Sequence, residues 1–175
     1  EGKPVLYGYL GTGNFHEETA KVYSDFGLFT CEKKIVNEVA RVFNFLETKQ
    51  RPHQPFEYLG IGLFNLKEKF IGLIKREISN ALNGKKAKMT LKMNSLQDEE
   101  MIQYLYDASK AGVKIKLIVR GICCLVPNQK GLSENIEVIS IIDRYLEHAR
   151  VFIFHNDGNQ DVYLSSADWM TRNLH

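Results

Sequence analysis

The sequence predicts an α/β fold, a sheet flanked by helices, and three patterns support this prediction. Apolar residues recur at helical spacing over 66–82, which is typical of a helix with one face on a core. Residues 87–93 and 113–119 are strand-like, and the second run alternates apolar and polar side chains. Residues 98–111 form a helical stretch between them, so the three segments make a β-α-β unit. Its two strands should be parallel and joined by a right-handed crossover.

The flanking regions predict smaller elements. A short apolar strand at 5–10 runs into the turn at 11–14, followed by a helical stretch at about 16–23 and an apolar piece at 26–30. Apolar residues at helical spacing then predict an amphipathic helix over roughly 33–47. Further strands are predicted near the C-terminal end, at 136–141, 150–155 and 161–166.

The ends of the two longest helices in the second part of the chain agree with these boundaries. Asp98, Glu99 and Glu100 suit the positive N-terminal end of their helix. Gly84 and Gly112 follow the last helical turns, where glycine tolerates the left-handed backbone that ends many helices.

Composition excludes several classes of protein. The 175 residues are 44% hydrophobic and 25% charged, the proportions of an ordinary globular chain with enough apolar material for a core. The net charge of +2 disfavours a generic nucleic-acid or membrane-surface binder, since such proteins rely on a large basic excess. Three cysteines form neither a disulfide framework nor a zinc-spaced pair, so a reducing cytosol is expected. No apolar run reaches transmembrane length.

A linker divides the chain. Residues 48–55 contain two of the four prolines and no apolar side chain. We therefore predict a linker at 51–55 between an N-terminal part at 1–50 and a larger part at 56–175. The chain begins with Glu1 rather than Met and enters a strand almost at once, which predicts that it was cut from a longer protein.

A weak internal repeat indicates where a site lies. Residues 7–14 and 162–168 are each an apolar strand that ends in small, partly hydroxyl-bearing residues and an Asn or Asp. Upstream of the second copy lie His148 and Arg150, two positions apart, so on a strand both would address one ligand. A His-x-cation pair, a strand, a hairpin and a hydroxyl-bearing turn resemble half of a phospholipase-D-like site. In such enzymes two halves meet, and their histidines face one phosphorus atom.

Longer segments carry a closer resemblance. Six of them resemble, in family order, the signature blocks of bacterial polyphosphate kinase, the type built on two phospholipase-D-like domains: 10–15, 92–96, 118–125, 133–136, 144–148 and 165–174. The resemblance implies reversible transfer of the ATP γ-phosphate to polyphosphate through a phosphohistidine, with Mg²⁺. It also implies ATP/ADP and inorganic polyphosphate as partners, no nucleic acid, a homo-oligomer, a bacterial cytoplasmic location and peripheral membrane association of the full-length enzyme.

The resemblance also implies an incomplete catalytic unit. Residues 1–50 would be the C-terminal part of the first phospholipase-D-like catalytic domain, and 56–175 most of the second. The histidine that the family phosphorylates belongs to the first domain's own His-x-Lys motif, which would precede Glu1.

Three residues match family positions that contact the nucleotide or its phosphates. His148 matches the second histidine of the family, as general acid/base or phosphate ligand, and histidine is the side-chain type best suited to proton transfer near neutral pH. Arg120 lies at the carboxyl end of a predicted parallel strand, where α/β sheets bind ligands, and a guanidinium grips phosphate oxygens in pairs. Tyr23 matches a tyrosine that contacts the nucleotide, and this assignment rests on the family alone.

Four more residues are candidates for ATP or phosphate binding. Arg150 replaces the Lys of the usual His-x-Lys pattern, keeping the charge but changing the donor geometry. Ser166 and Asp168 can hydrogen-bond the histidine or a phosphate oxygen, and the turn that ends at Asn14 offers backbone N–H groups to an anion. The other histidines are assigned no role, and no metal ligand is assigned.

Plainer interpretations remain open for each residue. Arg120 could form a surface salt bridge, and His148 could cap the start of a strand. Tyr23 could serve in packing alone, and Ser166 and Asp168 could simply end a hairpin.

Two alternative functions also remain. A different phospholipase-D-like phosphodiesterase or nuclease would need a Lys in the His-x-Lys position and a basic groove, and a non-catalytic module would only bind nucleotide.

The missing histidine generates a first prediction. We expect the isolated chain to form no phosphohistidine at the family's nucleophile and to have little or no kinase activity. Incubation with γ-labelled ATP and magnesium, followed by measurement of labelled polyphosphate, checks this. Robust synthesis of polyphosphate would contradict it.

Overall fold

The computed structural model describes residues 4–175. Nine strands and five α-helices lie in this part of the chain, with a 3-10 turn at Asn156–Gly158. In chain order they are β1 Gly8–Gly11, α1 Glu17–Ala20, β2 Tyr23–Ser24, β3 Gly27–Thr30, α2 Lys33–Thr48, α3 Leu66–Leu82, β4 Lys88–Met93, α4 Glu99–Lys110, β5 Lys114–Val119, β6 Ile136–Ile139, β7 Leu146–Glu147, β8 Arg150–Phe154, β9 Asp161–Ser165 and α5 Thr171–Leu174.

A five-stranded mixed sheet forms the larger part of the molecule, in the order β6-β5-β4-β8-β9. Strands β4, β5 and β6 are parallel, whereas β8 is antiparallel to both β4 and β9. The α/β prediction is confirmed, and so is the parallel β4-α4-β5 unit. Gly84 and Gly112 have φ values of 70° and 95°, the left-handed conformation expected after a helix.

The core lies on the face of this sheet that α3 and α4 cover. Met89, Leu91 and Met93 alternate along β4 and are buried, because successive strand residues point to opposite faces. Next to them, aromatic rings stack: the Phe152 and Trp169 rings lie 5.4 Å apart at an interplanar angle of 17°. Trp169 thereby fixes the segment that follows β9 against the core.

The N-terminal part is a two-stranded antiparallel sheet, β1 with β3, beside α2. Glu38 on α2 is buried, and its carboxylate accepts hydrogen bonds from the backbone N–H groups of Glu57, Tyr58 and Leu59 at 2.7, 3.1 and 2.8 Å. These bonds fasten α2 to the chain just beyond the predicted linker. The linker itself, 51–55, has no regular structure, and the domain boundaries stay a prediction.

A second, two-residue pairing joins the N-terminal part to the larger sheet region. Strand β2 runs parallel to β7, with Tyr23 opposite Leu146 and Ser24 opposite Glu147. The sequence prediction of a helical stretch up to Tyr23 was wrong here, because α1 ends at Ala20 and Tyr23 begins a strand. Two residues are too few to produce a periodic pattern, so this pairing had no signal in the sequence.

None of the helices in the described residues combines the length and apolarity needed to cross a bilayer.

The buried carboxylate of Glu77 generates a prediction about stability. It is fully buried and accepts from the N–H groups of Lys88 and Asn156, at 3.1 and 2.7 Å, and so joins α3 to the beginning of β4 and the end of β8. Glu77→Ala removes two hydrogen bonds to a charged, fully buried side chain, so we expect the free energy of unfolding to fall by about 2–4 kcal/mol. Denaturant unfolding measures this change.

The control is Glu68→Ala. Glu68 is exposed on the same helix, so its replacement should change the free energy of unfolding by about 1 kcal/mol or less. Equal effects of the two variants would contradict the account.

Candidate functional site

The candidate site lies at one edge of the large sheet. Asn94 follows the carboxyl end of β4 and Arg120 that of β5, while the antiparallel β8 begins at this same edge with Arg150. Arg150 is paired with Ser165, the last residue of β9, so the turn after β9 also lies here. Ligands of open α/β sheets bind at this kind of edge. Four separate segments of the second part of the chain therefore contribute side chains to one place.

His148 is held by an aspartate that comes from the N-terminal part. Its Nδ1 lies 2.9 Å from Oδ1 of Asp25, and the histidine is buried. An ionised carboxylate only accepts hydrogen bonds, so Nδ1 has the proton and donates it. Neutral His148 therefore has its lone pair on Nε2. The bond joins two residues that are 123 positions apart in the sequence.

Asp25 is itself fixed by Thr12. The Thr12 hydroxyl donates to Oδ1 of Asp25 at 2.9 Å and accepts from the N–H of Phe26 at 2.9 Å. Thr12 is 1% exposed, so its hydroxyl is shielded from water, whereas Asp25 keeps contact with solvent. The Gly-Thr-Gly-Asn turn thus contributes through its threonine side chain.

The imidazole of His148 has two further neighbours. The ring of Tyr23 lies 4.7 Å from it, at an interplanar angle of 45°. A terminal nitrogen of Arg150, Nη1, lies 3.4 Å from Nδ1 and 3.1 Å from Nε2. If Nη1 lay in the plane of the imidazole at these two similar distances, it would collide with Cε1, the ring carbon between the two nitrogens. Nη1 therefore lies over the face of the ring. Neither neighbour occupies the position in the ring plane where Nε2 would form a hydrogen bond with a ligand.

Arg150 is bonded mainly within the protein. Its Nε and Nη2 donate to the two carboxylate oxygens of Asp168 at 3.1 and 3.2 Å, a bidentate ion pair. Nη1 donates to the backbone carbonyls of Thr12 and His148, at 3.3 and 3.0 Å. A lysine, with its single ammonium, has no planar fork with which to reproduce this set. The geometry favours a positioning role for Arg150, and phosphate binding by it stays a prediction.

Asp168 and Arg120 meet at Asn94. Besides the ion pair, Oδ1 of Asp168 accepts from the backbone N–H of Asn94 at 2.8 Å. Nε of Arg120 donates to the Asn94 side chain at 3.1 Å. Arg120 is partly exposed, as a ligand-binding arginine must be.

Two predicted site residues lie outside this cluster. Asn14 and Ser166 are exposed, and neither is among the hydrogen-bond partners of His148. Ser166 lines a separate cavity of about 390 Å³ between α2 and β9. Lys69 lines the same cavity and donates to the Glu57 carbonyl, and burial lowers its pKa, partly opposed by nearby carboxylates. Phosphate binding by Asn14 and Ser166 stays a prediction.

Sequence reasoning missed three members of the cluster, namely Asp25, the Thr12 hydroxyl and Asn94. Thr12 and Asn94 lie inside segments that resemble family blocks, so closer attention to their side chains would have found them. Asp25 had no signal, because it is an isolated carboxylate between two short strands. Only the tertiary structure brings it to His148.

Magnesium was predicted from the family resemblance. Within residues 4–175, no three His, Cys, Asp or Glu side chains converge as a metal-ligand set. The site carboxylates, Asp25 and Asp168, are already bonded to His148 and Arg150. Magnesium binding therefore stays a prediction from the family resemblance, with no ligand assigned among the described residues.

The assembled groups define a class of site. A histidine oriented by a carboxylate can exchange a proton through its other nitrogen. A partly exposed guanidinium offers paired donors to phosphate oxygens, and it offsets charge that develops on them. Together they suit phosphoryl-group chemistry.

Comparison with known proteins identifies the family. The family model described as polyphosphate kinase C-terminal domain 2 matches residues 59–175, and the model for C-terminal domain 1 matches residues 1–52. The chain is 52% identical over 175 residues to polyphosphate kinase of Vibrio parahaemolyticus and 51% identical over 173 residues to that of Escherichia coli K12. Both alignments cover 99% of the chain and 25% of the relative. The chain thus spans about a quarter of the length of these relatives.

A solved structure agrees. The crystal structure of polyphosphate kinase from Porphyromonas gingivalis superposes with a TM-score of 0.93 at 49% identity, covering 98% of this chain and 26% of that one. The chain belongs to the polyphosphate kinase family, and the models of two C-terminal domains of that family match it. The family prediction made from the sequence is confirmed.

The buried ion pair generates a prediction. Arg150→Met leaves Asp168 charged and buried, so we expect a loss of about 3–5 kcal/mol in the free energy of unfolding. Adding Asp168→Asn should restore part of this loss, because it removes the charge and keeps an acceptor for Asn94. Denaturant unfolding compares the two variants.

The control is Lys116→Met, which breaks an exposed ion pair with Glu137. It should lower the free energy of unfolding by about 1 kcal/mol or less. A double variant less stable than Arg150→Met would contradict the account.

Proposed function

We propose that this chain forms the second half of an ATP:polyphosphate phosphotransferase site. The reaction is reversible transfer of the ATP γ-phosphate to the end of inorganic polyphosphate. The observation that supports it best is the bond between Asp25 and His148, because it joins the segments that match the two family models. Membership of the polyphosphate kinase family supports the choice of substrates.

His148 acts through Nε2 in this proposal. When the bond between the γ-phosphorus and its bridging oxygen breaks, negative charge grows on the departing ADP oxygens. Protonated His148 donates from Nε2 to a phosphate oxygen, and in the reverse direction the neutral ring accepts that proton. Asp25 keeps the ring in one tautomer and stabilises its charged form, as carboxylates do beside catalytic histidines.

Arg120 binds the phosphates. Its Nη groups offer two parallel donors to oxygens of the transferring group, and their charge offsets the charge that develops during transfer. Tyr23 packs against the His148 ring, which limits the ring's movement. Contact between Tyr23 and the nucleotide stays a prediction from the family.

The acceptor of the phosphoryl group is outside this chain in the proposal. The family resemblance implies a phosphohistidine in the first catalytic domain, upstream of Glu1. Magnesium, a homo-oligomer, a bacterial cytoplasmic location and peripheral membrane association of the full-length enzyme are likewise predictions from the resemblance.

ATP binding tests the proposal. Calorimetric titration of the chain with ATP should show binding, and Arg120→Ala should weaken it by about tenfold or more, because a charge-assisted pair of hydrogen bonds is lost. His148→Ala should weaken it as well.

Matched controls are available in the linker. Arg51→Ala and His53→Ala remove the same side-chain types from exposed positions and should leave ATP affinity unchanged. Absence of ATP binding by the wild type would contradict the proposal, as would equal affinities in the site and linker variants.

A further inference from the structure

Asn94 is bonded to three segments of the site through all four of its polar groups. Its backbone N–H donates to Asp168 at 2.8 Å, and its carbonyl accepts from the N–H of Gly121 at 2.7 Å. Its side-chain amide donates to the His148 carbonyl at 3.4 Å, and its side-chain oxygen accepts from Nε of Arg120 at 3.1 Å. The residue is 5% exposed.

The surroundings of Asn94 are rigid. Two residues further on, Leu96 forms isolated bridges with both Cys123 and Trp169, so the turn after β4 is bonded to the turns after β5 and β9. A Cβ at Gly121 would lie 3.0 Å from the Asn94 carbonyl oxygen, which is tighter than most such contacts, so the close approach of these two turns favours a glycine. The backbone of Asn94 is therefore fixed independently of its side chain.

The bond to Nε determines the direction of the Arg120 guanidinium. This group is planar, so fixing its Nε–H also fixes the plane and direction of the two Nη groups. Within residues 4–175 those Nη groups make no hydrogen bond to the protein. We propose that Asn94 is a positioning residue that presents the Arg120 Nη pair to the phosphates beside His148. This inference rests on the proposed function.

The position requires an amide. Arg120 Nε needs an acceptor and the His148 carbonyl needs a donor, and an amide side chain supplies both from one carbon. Aspartate keeps the acceptor but loses the donor and adds charge that repels phosphate. Leucine, of similar size, loses both.

A spectroscopic measurement tests the positioning without any nucleotide. In ¹⁵N NMR spectra of the chain, the Arg120 Nε–H should exchange slowly with water in the wild type and in Asn94→Asp, which keeps the acceptor. In Asn94→Leu it should exchange at the rate of a solvent-exposed arginine. An unchanged exchange rate in folded Asn94→Leu would overturn the inference.

A double-mutant cycle tests the consequence for binding. Asn94→Leu should weaken ATP binding by about tenfold, the usual effect of losing a hydrogen bond to a charged group. In an Arg120→Ala background the same substitution should have less than about a twofold effect, because it acts through the arginine. The substitution Asn94→Leu should reduce the affinity for AMP less than the affinity for ATP, because AMP lacks the terminal phosphates. The control is Asn135→Leu. Asn135 is a partly buried asparagine just before β6 whose side chain donates to the Ser109 carbonyl, so its replacement should leave ATP affinity unchanged.

The outcomes separate this inference from the proposed function. If the wild type does not bind ATP, the proposed function fails and the inference fails with it. If the wild type binds ATP but Asn94→Leu weakens binding by the same factor with and without Arg120, only the inference fails, because Asn94 then acts independently of Arg120.

Discussion

Arg150 places a guanidinium in the interior of the protein, where it is 8% exposed and bonded to three separate segments. It forms an ion pair with Asp168, donates to the Thr12 carbonyl, and lies over the ring of His148. Burying this charge would be costly without such partners. The guanidinium therefore requires the turn after β9, the Gly-Thr-Gly-Asn turn and the start of β8 to meet at one point, and the site geometry depends on that meeting.

The same convergence makes the site a product of both parts of the chain. Asp25 and Thr12 come from the N-terminal part, and His148 and Arg150 come from the larger sheet. The clamp that Glu38 forms on the backbone beyond the linker and the short β2–β7 pairing hold the two parts together. A histidine without its aspartate would have no fixed tautomer. The chemistry of the second half thus depends on a piece of the first.

Much of the fold and part of the site were predictable from sequence. Helix α3, strands β4 and β5 and helix α4 have strong periodicity, because each buries one face on a common core. His148 and Arg120 were found because they lie at strand ends, within blocks that resemble a family. Tyr23 was placed on a helix and Asp25 was missed, since a two-residue strand and a lone carboxylate leave no pattern. Arg150 was expected to bind phosphate, and this stays a prediction, since four of its five N–H donors are used within the protein.

The sequence alone determined the α/β class, the parallel β-α-β unit and membership of the polyphosphate kinase family. These follow from periodicity and from contiguous blocks of residues, which are local properties of the chain. Only the tertiary structure decided that Asp25 orients His148 across 123 positions, that Arg150 is buried against Asp168, and that Asn94 holds Arg120. Such contacts form between turns that are distant in the sequence and adjacent only at the sheet edge, so no spacing along the chain predicts them.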